Sequence, residues 1–160
     1  MWVEFNALAD ESKIWIYQAS RSFTDVELQE LEMSLKNFVD NWAAHGTGLK
    51  ASFLIKYKRF IILGVDAASA QASGCSIDTS VRFIQELETK YAVDLLDKMN
   101  VTFKQGEYLA YKPLIDFKKL VKNKSVSGKT IVFNNLVNIK KELETDWEIP
   151  LEESWHNRFL

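Results

Sequence analysis

The sequence predicts an α+β domain: a mainly antiparallel sheet with helices packed on it. Three observations carry this. Two strand-like runs, Ala51 to Tyr57 and Phe60 to Asp66, are separated only by Lys58 and Arg59. Parallel strands need a crossover of a dozen or more residues, so this pair forms an antiparallel hairpin. An amphipathic helical run lies on each side of that hairpin. The resulting order, β-α-β-β-α-β, is that of a ferredoxin-like, split-βαβ core.

Each element has its own signal. Lys13 to Ala19 carries Ile14, Trp15, Ile16 and Tyr17, β-branched and aromatic residues that suit a pleated surface. Thr24-Asp25-Val26-Glu27 then places a hydroxyl and a carboxylate three residues apart, the spacing of a helix capping box. Leu28, Leu31, Leu35, Phe38, Val39 and Trp42 follow at helical spacing, and Gly46 and Gly48 supply the exit. The second strand of the hairpin is almost continuously apolar, so it is predicted to be central. Ala67 to Ser76 has no periodicity and reads as a loop. A second helix is expected from about Ile77 to Tyr91, with Ile77, Val81, Ile84, Leu87 and Tyr91 on one face. A short helical turn is expected over Asp94 to Met99, and strand material at Val101, Phe103 and Tyr108 to Tyr111. Beyond that core, Pro113 opens a helix to Asn123, since proline is favoured in a first helical turn. Thr130 to Phe133 reads as a further strand. Leu136, Ile139, Leu143 and Trp147 predict a long helix from Asn135 to Trp147, ended by Pro150. The C-terminal part is thus expected to be a helical extension.

The chain has 160 residues, 47% of them hydrophobic, with a formal net charge of −2. That composition excludes disorder and supplies a core without staples, so a single domain over residues 1–160 is expected. Cys75 is the one cysteine, which excludes an internal disulfide and any cysteine-based metal site. The residues Met1-Trp2-Val3-Glu4-Phe5-Asn6 lack the basic and apolar regions of a signal peptide. The longest apolar run, Phe60 to Val65, is too short to cross a bilayer. A cytoplasmic protein without membrane contact is expected. Charge is segregated locally. Lys112 to Lys141 holds eight lysines and one acid, whereas Glu142 to Glu153 holds six acids and no base.

Motifs with chemistry are few. Asn123-Lys124-Ser125-Val126-Ser127-Gly128-Lys129-Thr130 comes within one residue of a phosphate-binding P-loop, with Asn123 at the first glycine. A P-loop follows a strand and opens a helix, so that helix amides face the phosphates. Here a predicted helix precedes and a predicted strand follows, and ATP hydrolysis is disfavoured. The most distinctive stretch is Ser73-Gly74-Cys75-Ser76-Ile77-Asp78-Thr79-Ser80, with Arg82 one turn on and Asp66 ending the strand before it. Hydroxyls, a thiol and a glycine sit at a helix start, where unpaired amides and the dipole favour an anion or a thiolate. Ser73, Gly74, Cys75, Ser76, Asp78, Arg82 and Asp66 are therefore the candidate ligand-binding residues. Asp78 opposes a second negative charge, Arg82 is placed to neutralise it, and Cys75 is expected to alkylate slowly. Cys75 and His156 have the residue types of a thiol nucleophile and its base. No catalytic residue is assigned. His45, His156 and Cys75 have no metal-ligand spacing, so no metal and no cofactor are predicted. Lys118, Lys119, Lys122, Lys124 and Lys129 form a potential basic patch, but the chain is acidic overall with four arginines, and nucleic acid is not the expected partner.

The segments Ala72 to Phe83, Asp94-Leu95-Leu96-Asp97, Val132 to Val137 and Trp147 to Leu160 resemble a family of small uncharacterised bacterial proteins often labelled "ABC transporter ATPase". The resemblance spans most of the chain and implies no cofactor or catalytic residue. Two functions follow as expectations. The first is a binding or adaptor domain, with a protein partner met through the apolar tail of Trp147, Ile149, Leu151, Trp155, Phe159 and Leu160. The second is a small-molecule or anion site around Cys75, of which a thiol-dependent enzyme is one form.

Overall fold

The computed structural model describes residues 1–68 and 71–160. The chain is an α+β protein with antiparallel sheets. It divides into two compact units, Met1–Leu96 with Asn138–Lys141 and Asp97–Val137 with Glu142–Leu160.

The first unit holds β1 (Lys13–Gln18), α1 (Asp25–Asn41), the short pair β2 (Ala43–Ala44) and β3 (Thr47–Gly48), β4 (Ala51–Lys56), β5 (Phe60–Val65) and α2 (Gly74–Tyr91). Its main sheet has the order β1-β5-β4 with antiparallel neighbours. The apolar strand β5 is central, as its composition requires, and all six of its residues are buried. Tyr57 and Lys58 turn the β4–β5 hairpin with φ of 58° and 56°. Two consecutive positive φ angles suit the right-handed twist of the strands they join. One sheet face, with Tyr17, Ala51, Ile61, Leu63 and Val65, packs in a core with Leu31, Leu35 and Val39 of α1 and Ile84, Leu87 and Tyr91 of α2. The capping box of α1 forms: Glu27 N–H donates to Thr24 Oγ1 at 3.2 Å, and Thr24 N–H to Glu27 Oε1 at 2.8 Å.

The first three strands follow the split-βαβ order, but the ferredoxin-like sheet is not completed. The strand after α2, β6 (Asn100–Gln105), belongs to the second unit and pairs there. The outer edge of β1 is met at its start by the returning segment, through a bridge between Lys13 and Ile139 and an Ile14 N–H bond to the Asn138 carbonyl. The expected helical turn over Asp94 to Met99 is also absent. Leu95 and Leu96 instead donate their amides to the Glu88 carboxylate, at 2.8 and 3.1 Å.

The second unit holds β6, β7 (Tyr108–Pro113), α3 (Leu114–Lys122), β8 (Ile131–Phe133), α4 (Glu142–Thr145) and β9 (Glu148–Pro150). Its sheet has the order β7-β6-β8-β9. Val101, Phe103, Phe117, Val121, Val126, Val132 and Leu151 form its core. The long helix expected over Asn135 to Trp147 does not form; only α4 is helical there. Trp147 Nε1–H donates to Asn135 Oδ1 at 2.9 Å, and Asn134 N–H to the Trp147 carbonyl at 2.7 Å. Twelve residues of helix would hold Asn135 and Trp147 about 18 Å apart. Closing that loop lets Trp147 pack edge-on against Phe133, with centroids 5.0 Å apart.

Candidate functional site

The helix start at Ser73 is built as a cap. α2 begins at Gly74, three residues before the expected start at Ile77, and Ser73 is its N-cap. Ser73 Oγ accepts from Ser76 N–H at 3.1 Å, and Ser76 Oγ accepts from Ser73 N–H at 2.7 Å. The Ser76 hydroxyl also donates to the Ser73 carbonyl at 2.8 Å. Thr79 and Ser80 turn their hydroxyls onto the carbonyls of Cys75 and Ile77, at 2.9 and 2.6 Å. Trp42 Nε1–H, from the end of α1, fixes the Ser76 carbonyl at 2.9 Å. The hydroxyls that mark this stretch thus satisfy local backbone groups. Cys75 is exposed in the first turn. Asp78 and Arg82 are exposed as well, and no ion pair joins them among the described residues.

Asp66 has a separate task. It is buried at the end of β5 and accepts from Ala9 N–H at 2.9 Å and from Ser12 Oγ at 3.4 Å, with Lys50 Nζ 3.6 Å away. The Ala9 amide, above all, holds its pKa below the usual carboxylate value against the opposing effect of burial. Asp66 therefore ties the N-terminal segment to the sheet. It borders a cavity of ≈120 Å³ with Trp15, Val65, Gln71 and Ala72, none of which belongs to the Ser73–Arg82 stretch. Part of the loop predicted between β5 and α2, residues 69 and 70, lies outside the described residues.

His156 is in the second unit and Cys75 in the first. The imidazole is buried, with Nδ1 2.6 Å from Ser154 Oγ, stacked on Trp155 and edge-on to Phe117. Burial pushes its pKa down to about 4. Among the described residues no three His, Cys, Asp or Glu side chains group to share a metal ion. No described helix is long and apolar enough to cross a membrane. The P-loop-like segment is a helix-to-strand turn between α3 and β8. Ser127 N–H donates to Thr130 Oγ1, Lys129 N–H to Ser127 Oγ, and the Lys129 ammonium meets Glu152 at 2.9 Å.

Lys118, Lys119 and Lys122 of α3, with Lys124 just beyond it, form a run of exposed lysines. Phe117 and Val121, four residues apart, fill the core of the second unit. Lys118 and Lys122, each one residue further on, are therefore turned to the rim and are exposed. The helix ends through Asn123 and Lys124, and Lys124 takes a left-handed φ of 64°, a conformation that costs a non-glycine residue about 1 kcal/mol. Phe159 comes back over this helix end: its ring lies edge-on to Phe117, centroids 6.4 Å apart, and Lys118 Nζ sits 5.1 Å from its centroid. Lys118, Val121, Lys122, Lys124, Phe159 and Leu160 line an open cleft of ≈480 Å³.

Several other lysines already have oxygen partners. Lys50, Lys58, Lys104, Lys129 and Lys141 are ion-paired, and Lys140 Nζ donates to the Leu8 carbonyl at 2.6 Å. Lys118, Lys119, Lys122 and Lys124 are in no ion pair among the described residues. Near the end of α3 they complement the helix dipole, and their ammonium groups remain open to an anion. The C-terminal tail is mostly packed. Trp147, Leu151 and His156 are buried, Phe159 is half-buried, and Leu160 is 62% exposed. The sequence marked the two halves of this cleft separately, as a basic patch and as an apolar tail. The i, i+4 pair Lys118 and Lys122 beside the apolar pair Phe117 and Val121 was the signal available. Searches against protein-family models, curated proteins and solved structures find no match to the chain.

Proposed function

We propose that this chain is a binding or adaptor domain that takes an acidic, partly apolar protein segment into the cleft between α3 and the C-terminal tail. The observation that carries this reading is one cleft lined both by three lysines in no ion pair among the described residues, Lys118, Lys122 and Lys124, and by the apolar side chains of Val121, Phe159 and Leu160. The cations select carboxylates and raise the rate of encounter. The floor rewards leucine or phenylalanine side chains at about 25 cal/mol per Å² of apolar surface removed from water. The packed part of the tail holds the cleft, and its last two residues meet the partner. An alternative is a small-molecule or anion site at Ser73 to Arg82. It has weaker support, because the hydroxyls there already serve the helix cap.

Fluorescence anisotropy with a labelled peptide of glutamates interspersed with leucine and phenylalanine tests the reading. Each exposed ion pair contributes about 0.2–1 kcal/mol, and charge reversal adds repulsion to the loss. The double substitution Lys118→Glu/Lys122→Glu is expected to weaken binding by about 2 kcal/mol, roughly thirtyfold. Affinity that stays within about twofold of wild type would overturn the reading.

A further inference from the structure

We infer that the acidic segment taken by the basic cleft belongs to a second copy of this chain. The inference rests on the cleft being a docking site and names its occupant. The same unit carries a second open groove, of ≈420 Å³, lined by Glu142, Asp146 and Glu153 with Leu136, Val137 and Ile149. Three carboxylates beside Leu136, Val137 and Ile149 thus answer three lysines beside Val121, Phe159 and Leu160. The groove and the cleft are similar in volume.

The apolar parts match as well as the charges. Leu136 stands 68% exposed at the acidic groove, and Leu160 stands 62% exposed at the basic cleft. Each surface therefore has an exposed leucine to offer the other. Within one chain the basic and acidic segments do pair where geometry allows, as Lys129 does with Glu152. Glu142, Asp146 and Glu153 are in no ion pair among the described residues, and neither are Lys118, Lys122 and Lys124. The lysines at the cleft of one copy are thus available to the carboxylates at the groove of a neighbouring copy. Because the two patches differ, each contact joins the cleft of one copy to the groove of another.

Charge swapping tests this by sedimentation velocity. Wild-type protein is expected to associate as its concentration rises to about 1 mM, and to dissociate when salt is raised from about 0.05 M to about 0.5 M. Lys122→Glu/Lys124→Glu places acid against acid, and Glu142→Lys/Asp146→Lys places base against base. Each variant alone is expected to associate at least about tenfold more weakly than wild type. An equimolar mixture restores complementary contacts, so association is expected to recover. All four positions lie at the surface, and circular dichroism confirms that each variant is folded. A monomeric wild type, or a mixture no more associated than its components, overturns the inference. The acidic peptide, titrated into the same wild-type sample, separates the two claims. Peptide binding by a monomeric chain leaves the cleft as a docking site for another protein, whereas no peptide binding removes both.

Discussion

Lowering the pH from neutral should weaken the fold through His156, before the carboxylates begin to titrate. The imidazole is 2% exposed, enclosed by Phe117, Trp155 and the Ser154 hydroxyl, and burial pushes its pKa down to about 4. In the unfolded chain the value is about 6.5. Between those values the unfolded chain binds a proton that the folded chain refuses, so stability falls as pH falls. The loss from about pH 7 to about pH 5 works out at about 2 kcal/mol, and it levels off near 3 kcal/mol below about pH 4. Asp66 and Glu27 act in a lower window. Backbone hydrogen bonding holds Asp66 down, and Arg21 brings Glu27 to about 2. Their contributions are present above the unfolded carboxylate pKa of about 4 and are lost only as pH falls through their folded values. Urea unfolding followed by tryptophan fluorescence, in steps from about pH 7 to about pH 5, isolates the His156 slope. His156→Asn keeps a hydrogen-bonding group near Ser154 and removes the titration, so its stability should lose most of that slope. Wild-type stability that is flat over this range, or an equal slope in His156→Asn, would refute the reasoning.

Four further outcomes are expected. At Gly64 a Cβ would lie 2.8 Å from Leu8 Cδ1 and 3.4 Å from the Phe5 ring, inside the buried face of β5, so Gly64→Ala should destabilise by about 1–3 kcal/mol in the same urea assay. At Gly128 the Cβ would meet the flexible Glu152 carboxylate at 2.7 Å; the side chain swings away, the Lys129 pair is lost, and Gly128→Ala should stay within about 1 kcal/mol of wild type. Thr24→Ala removes the α1 capping hydroxyl and should cost about 1 kcal/mol. Cys75 is exposed, so iodoacetamide should label the folded protein without denaturant, and protection until unfolding would contradict its position.

What the sequence made legible was local. The Thr24–Glu27 box, the central strand at Phe60 to Val65, and the proline-started helix at Leu114 each follow from residue type and spacing within one element. The errors come where a distant partner decides. Leu136, Ile139, Leu143 and Trp147 have a helical period, yet Ile139 pairs with Lys13 while Trp147 is held beside Asn135. Pairing and burial outweigh a preference of a few tenths of a kcal/mol per residue. The sixth element of the β-α-β-β-α-β order was identified as a strand, but its place was not, because any strand with an apolar face can join either sheet. At the candidate site, a helix start near Ser76 was legible, but the cap lies three residues earlier, at Ser73. Which role their hydroxyls take, cap or ligand, depends on geometry that composition does not encode. The basic cleft needed Phe159 brought over α3, a contact forty-two residues from Phe117 in sequence.

The most direct test of the proposed docking site is an amide NMR titration of the full chain with the acidic peptide. Shift changes are expected to centre on Lys118, Val121, Lys122, Lys124, Phe159 and Leu160, and to shrink as salt is raised. Changes centred on Ser73 to Arg82, or spectra unchanged by the peptide, would contradict it.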